Sequence, residues 1–151
     1  MQTAQALIER YELKPHPEGG HFARVYCSKS HVLSPVNSAR RPVMTHIYFL
    51  LRRGEVSRMH RVLHDELWCV YAGAPLALVR GDGRRFEQFR IGADCPHFQA
   101  LVPGGQWQAA ESTGEFTLCG CTVAPGFDFA DFTLMDERQA ASVPSIWQRF
   151  T

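Results

Sequence analysis

The chain has 151 residues, 45% of them hydrophobic and 21% charged, the proportions of one globular domain able to bury a core without disulfides. Sixteen basic residues against fifteen acidic ones leave a net charge of +1, and the absence of a basic block excludes an electrostatic footprint for nucleic acid or an anionic membrane. No apolar run nears the ~20 residues needed to cross a bilayer. The N-terminus carries Glu9 and Glu12 and lacks the pattern of a secretory signal. A cytoplasmic location is expected.

Residues 3 to 11 read as a short helix, with Thr3 as cap and Ala4, Leu7, Ile8 and Tyr11 at helical spacing. Lys14-Pro15-His16-Pro17-Glu18-Gly19-Gly20 then breaks the pattern. Between 21 and 135 nearly everything reads as strand. HFARVYCS, MTHIYFLLR, ELWCVYAG, PLALVR, RRFEQFRIG, FQALVP, QWQAAES and FTLCGCTVA are short and rich in β-branched or aromatic residues, with Gly and Pro between them. Such a series predicts a β-sandwich or barrel. A weak helix over 136 to 141 and a last turn from Ser145 to Phe150 complete the chain. Residues 28 to 43 form the longest irregular piece, either a cover for a barrel mouth, with Arg40 and Arg41 drawing in an anion, or a disordered surface loop. Phe127, Phe129 and Phe132 look like a closing strand, with Asp128 and Asp131 solvated or turn-forming. The five cysteines match no zinc framework, and Cys119 and Cys121 read as core packing.

Chemistry concentrates in GEVSRMHRVLHDELWCVYAG, residues 54 to 73. If 60 to 68 is extended, His60, Val62, His64, Glu66 and Trp68 share one face. Two imidazoles, a carboxylate and an indole on one face suit a small barrel open to a ligand. A turn between 63 and 65 would remove His64 from that group.

The spacing resembles the first motif of the cupin superfamily: Gly54, five residues, His60, then Glu66, six residues and Gly73. Pro103 and Gly105 match part of the second motif. More narrowly, the chain resembles the cupin-5 family of small cupins along nearly its whole length. The residues carrying this are Pro15-His16-Pro17-Glu18-Gly19-Gly20-His21-Phe22, Ile47 to Leu51, Ser57 to Arg61, Asp65 to Trp68, Val102 to Gln108, and Val123 to Phe127 with Asp131-Phe132. The resemblance implies an all-β double-stranded β-helix, a jelly-roll barrel, with short helices at both ends. It also implies a homodimer with N-terminal strands paired across the interface.

Metallic cupins offer three histidines and a glutamate. Here Val62 and Gln108 stand at two of those positions; a valine cannot coordinate and an amide oxygen is a poor transition-metal ligand. No metal is therefore favoured. A divalent transition metal, if bound, would need His60, His64, Glu66 and Gln108, as in a metal-dependent cupin such as a dioxygenase. Without metal, histidine beside a carboxylate suits general acid–base work. Similarity to the metal-free dTDP-sugar 3,5-epimerases suggests His60 as a base acting beside a carbonyl, Glu66 as its partner, and Tyr48 or Tyr71 as the acid. Those enzymes place a lysine near the position of Glu66, which makes their particular reaction a poor match. An isomerase or epimerase acting on a small carbohydrate-like metabolite is one expectation, and a non-catalytic ligand-binding protein is the other. Glu18 and His21 either reach the pocket mouth or sit in a solvated turn. Trp68 and Trp107 either stack on a ligand or fill the barrel, and Gln108 is expected to face inward.

Overall fold

The computed structural model describes residues 2–151. Helix α1 (Ala4–Arg10) begins at Thr3, whose hydroxyl accepts the Ala6 amide. The strands follow as β1 (Lys14–Pro15), β2 (His21–Cys27), β3 (His31–Leu33), β4 (Arg40–Pro42), β5 (Thr45–Arg52), β6 (Val56–Val62) and β7 (Asp65–Gly73). Then come β8 (Leu76–Gly81), β9 (Phe86–Ile91), β10 (Gln99–Val102), β11 (Trp107–Ser112), β12 (Phe116–Ala124) and β13 (Phe132–Leu134). Helix α2 (Glu137–Ala140) has a capping box built by Asp136 and Gln139, and a 3-10 segment (Ser145–Phe150) ends the chain.

Two antiparallel sheets form the barrel, in the orders β1-β2-β5-β12-β7-β10 and β13-β6-β11-β8-β9. Their facing sides enclose a core that includes Phe49, Leu51, Trp68, Leu76, Leu78 and Val102. Cys119 and Cys121 point into it, as their alternate spacing requires. Each outer face is also covered. α1 lays Leu7 over Leu50 and Leu118 of the first sheet, while Phe150 packs with Met59, Val79 and Trp107 on the second. The expected jelly-roll barrel with short terminal helices is the architecture found.

Two local expectations change. Residues 60 to 68 are not one strand: β6 ends at Val62 and β7 begins at Asp65 in the opposite sheet. The corner at Leu63 and His64 carries the chain across the barrel. His60 and Val62 therefore meet Glu66 and Trp68 from opposite walls, and His64 drops out of the group. Residues 28 to 43, in turn, are only partly irregular. They contain the β3–β4 hairpin, in which His31 opposes Pro42. Arg41 locks the hairpin to the barrel through a fork to Asp131, at 2.8 and 2.9 Å. That carboxylate consumes the Arg41 charge, so Arg41 is no lure for a substrate anion. Ser34 Oγ adds a 2.7 Å bond to His64 Nε2. The 127–132 segment is a 3-10 turn (Phe129–Asp131) capped by Asp128, followed by β13.

The Gly19-Gly20 turn is where backbone freedom matters for the site. Both glycines have positive φ, 111° and 71°. A Cβ on Gly19 would collide with the Val56 carbonyl oxygen, and one on Gly20 would lie 2.8 Å from that of Leu50. The close approach brings the preceding Glu18 against β6, where the Arg58 amide bonds its carbonyl at 2.8 Å. Gly19→Ala must both strain the left-handed backbone and push strands apart, so it is expected to destabilise the fold by at least about 2 kcal/mol. Urea denaturation of the variant against the natural chain measures this.

Candidate functional site

A cavity of about 340 Å³ opens between the two sheets. Its polar floor comes from three different elements: Glu18 from the turn before β2, His60 from β6 and Glu66 from β7. All three side chains are buried. Trp68, Val62 and Cys121 continue the wall, and Phe22, Phe127, Phe129 and Arg24 line it further.

His60 has both ring nitrogens engaged. Nδ1 donates to the Arg58 carbonyl at 2.7 Å, and Nε2 lies 3.0 Å from Glu18 Oε2. The Ser57 hydroxyl donates to the other Glu18 oxygen at 2.9 Å. The partner of His60 is therefore Glu18, rather than Glu66 as the spacing had suggested. Glu66 belongs to a second chain of bonds: Trp68 Nε1 donates to Gln108 Oε1 at 2.7 Å, and Gln108 Nε2 donates to Glu66 Oε1 at 2.8 Å. Glu66 Oε2 has no protein partner among the described residues, and Glu66 lines the cavity.

These surroundings separate the two carboxyls. Burial opposes ionisation of Glu18, but the charge and hydrogen bond of His60, with help from His16 and Ser57, outweigh it and hold the acid below its ordinary range. Burial likewise pulls His60 down, and the charge and hydrogen bond of Glu18, with Glu66 behind them, carry it above its ordinary value. Both shifts favour a buried carboxylate paired with an imidazolium. Burial pushes the Glu66 carboxyl up to about 7; the His60 charge and the Gln108 hydrogen bond oppose this without offsetting it, and the Glu18 charge adds to the rise. His16 accepts the Glu18 amide at Nδ1 (3.1 Å). Burial, reinforced by the His60 charge, lowers its pKa against the pull of Glu18 and keeps it neutral.

Of the residues marked in the sequence, His60, Glu66, Glu18, Trp68 and Gln108 come together here. The others do not. Tyr48 lies on the opposite face of β5, under α1 and against Tyr11 and Tyr71. Tyr71 shares that face and bonds His46 Nε2 at 3.0 Å, so neither tyrosine reaches the cavity as an acid. Trp107 sits one residue from Gln108 and so faces outward, stacked under Arg61 at 4.7 Å. His21 lies outside the cavity lining, and its buried Nδ1 has no partner among the described residues.

His64 forms a separate cluster. Its Nε2 meets Ser34 Oγ, while Nδ1 stays 3.9 Å from Asp131, too far for a hydrogen bond. Ser34 is 3% exposed, so this Ser–His–Asp grouping anchors the hairpin and presents no accessible nucleophile. With His64 there, the proposed metal set of His60, His64, Glu66 and Gln108 is not assembled. Among the described residues no three His, Cys, Asp or Glu side chains converge as a metal site. The donors present do not fit a transition metal.

His16, Arg24, Phe22, Phe127 and Phe129 also line the cavity, though the sequence did not mark them as site residues. Alternation along β2 places Phe22 and Arg24 on one face, and this was the signal available for them.

Comparison with known proteins agrees with this architecture. The Cupin_5 family model, described as cupin superfamily (DUF985), matches residues 5–135. A hypothetical protein from Leishmania major is 32% identical, with 91% of this chain and 90% of that one aligned at a TM-score of 0.83. A Shewanella oneidensis protein is 36% identical over 91% of this chain and 87% of its own, with a TM-score of 0.82. Oxalate decarboxylase from Bacillus subtilis, at 13% identity and a TM-score of 0.62, matches 83% of this chain with 30% of its own and shares the fold alone. No curated protein matches the chain. A match over most of the length, with two close structural relatives above 30% identity, makes this chain a member of the Cupin_5 family of the cupin superfamily.

Proposed function

We propose that the protein is a metal-independent enzyme of isomerase or epimerase type, moving a proton on a small carbonyl compound held in the barrel. One observation carries this: Glu66 lines the cavity with one oxygen uncommitted and titrates at about 7. A carboxyl poised at working pH is suited to taking a proton and returning it. Two carboxyls in one cavity with separated pKa values mark different roles. Glu66 is the proton carrier, and Glu18 fixes His60.

In this reading His60 is not the base, because both its nitrogens already donate. It supplies positive charge instead. Ionised Glu66 removes a proton from the carbon beside the carbonyl, the electron pair shifts to the carbonyl oxygen, and the imidazolium favours the developing negative charge. Glu66 then returns the proton to carbon or to oxygen. The lysine that similar epimerases carry near this point is absent, and the His60 cation takes over its electrostatic part.

The family resemblance implies a dimer, and the open edge of β2 supports it. β1 pairs only with His21 and Phe22, which leaves the rest of that edge without a strand beside half-exposed Val25 and Tyr26. Sedimentation equilibrium is expected to give twice the chain mass; a monomer at micromolar concentration would remove the dimer.

Three outcomes are expected of Glu66→Gln. Deuterium uptake from heavy water into small ketones and 2-oxo acids, followed by mass spectrometry, should fall by about 10²–10⁴-fold. Ligand affinity should change far less, since the amide keeps the shape. A natural chain that binds such compounds and exchanges no hydrogen is a binding protein, and the enzymatic reading fails. The third outcome concerns stability. The folded chain holds a proton on Glu66 up to about pH 7, whereas the unfolded chain releases it near 4.5. Stability linked to this group is therefore full below pH 4.5 and is lost as pH rises through 7. Unfolding free energies from denaturation taken across that window should fall for the natural chain relative to Glu66→Gln, by about 3 kcal/mol in all.

A further inference from the structure

The chemistry of the walls differs from that of a sugar site. Phe22, Ile47, Val123, Phe127 and Phe129 face the cavity with side chains that form no hydrogen bonds. Phe127 and Phe129 stand edge to face, with centroids 4.9 Å apart. Each hydroxyl of a polyol placed here would lose water and gain no partner from these walls. Flat hydrocarbon, by contrast, is well matched.

The charges are equally specific. Glu18 and His60 cancel one another at 3.0 Å, and the Asp131 charge is taken by Arg41. Arg24 also lines the cavity, and among the described residues it makes no salt bridge. One of its guanidinium nitrogens, Nη2, donates to the Phe127 carbonyl at 3.0 Å. That bond aims the fork and leaves other donors for a ligand.

We propose that the cavity takes a small organic monoanion with a hydrocarbon ring and a ketone, its carboxylate on Arg24 and its ring between Phe22, Phe127 and Phe129. This rests on the reading above that the cavity is the reactive site. The ketone, bonded directly to that carboxylate, and the carbon on its ring side face the floor, where Glu66 exchanges a proton with the ring-side carbon. The anion stays at the half of the site that carries an unmatched positive charge. The expectation of a carbohydrate-like substrate is thereby replaced by one of a ring-bearing 2-oxo acid.

Phenylpyruvate, phenylacetone and glucose serve as probes, with affinity read by calorimetry and deuterium uptake by mass spectrometry. Phenylpyruvate should bind saturably, and glucose should neither bind nor compete. Arg24→Met should weaken phenylpyruvate by about tenfold and leave phenylacetone, which lacks the carboxylate, unchanged. Arg24→Lys should recover part of the loss. Arg24 is exposed, so both variants should keep the natural circular dichroism and melting temperature. No binding of phenylpyruvate, tighter binding of glucose, or an Arg24→Met variant with undiminished affinity for phenylpyruvate would overturn the proposal. The two readings fail separately. Arg24-dependent binding with no deuterium uptake keeps the ligand class and removes the proton transfer. Uptake that is indifferent to Arg24 keeps the proton transfer and overturns the ligand class.

Discussion

Glu18 and His60 are buried against each other at 3.0 Å, and much of the site exists to make that tolerable. An ion pair out of water is stable only if its remaining lone pairs and protons are satisfied. Ser57 gives its hydroxyl to the second Glu18 oxygen, and the Arg58 carbonyl takes the second imidazole proton. Both come from β6, the strand that carries His60. The acid arrives from a distant part of the chain, on a turn that only glycine can form so close to Val56. Removing one partner would leave the other charged and alone, a loss typically of about 3–5 kcal/mol. The pair is therefore a structural commitment as well as an electrostatic one.

The sequence carried the architecture well, because the information needed was local. Alternating apolar residues, punctuating glycines and prolines, and the Thr3 cap each act within a few residues. The site was legible in halves. His60, Glu66 and Gln108 were found because motif spacing fixes them, and Gln108 does face inward. The partnership of Glu18 with His60 was not found, since 41 intervening residues separate them and nothing local encodes that contact. Tyr48 was misplaced for a related reason. Strand alternation shows that Ile47 and Tyr48 face opposite ways, but only the packing of α1 shows which face is outside. His64 depended on a two-residue corner between sheets, a feature that a uniform period of two does not record.

The hairpin at residues 28 to 43 shows how charge alone misleads. Two adjacent arginines on a polar loop suggest a trap for anions. In the fold Arg41 is matched with Asp131, which composition suggested was solvated or turn-forming. The cation that lines the cavity without a salt bridge is Arg24, which sits in an ordinary strand and drew no attention. What decides is which charges find partners after folding, and partners come from tertiary structure.

Gln108 joins the fold to the chemistry. A charged donor in its place, an arginine or a protonated histidine, would stabilise the ionised form of Glu66 and return its pKa towards that of Glu18. The neutral amide satisfies one Glu66 oxygen at 2.8 Å and accepts from Trp68 on its other side. It fixes the carboxyl in place while adding no charge to hold it ionised. Burial then prevails, and the group titrates at about 7. The substitution that weakens the case for a metal is the same one that leaves the Glu66 pKa raised. Val62 acts in the same direction, because an aliphatic wall beside these acids supplies neither ligand nor counter-charge. Two departures from the metallic cupin pattern thus act in one direction: burial sets the proton affinity of Glu66, the opposed charges of His60 and Glu18 adjust it, and neither Val62 nor Gln108 adds a charge to hold it ionised.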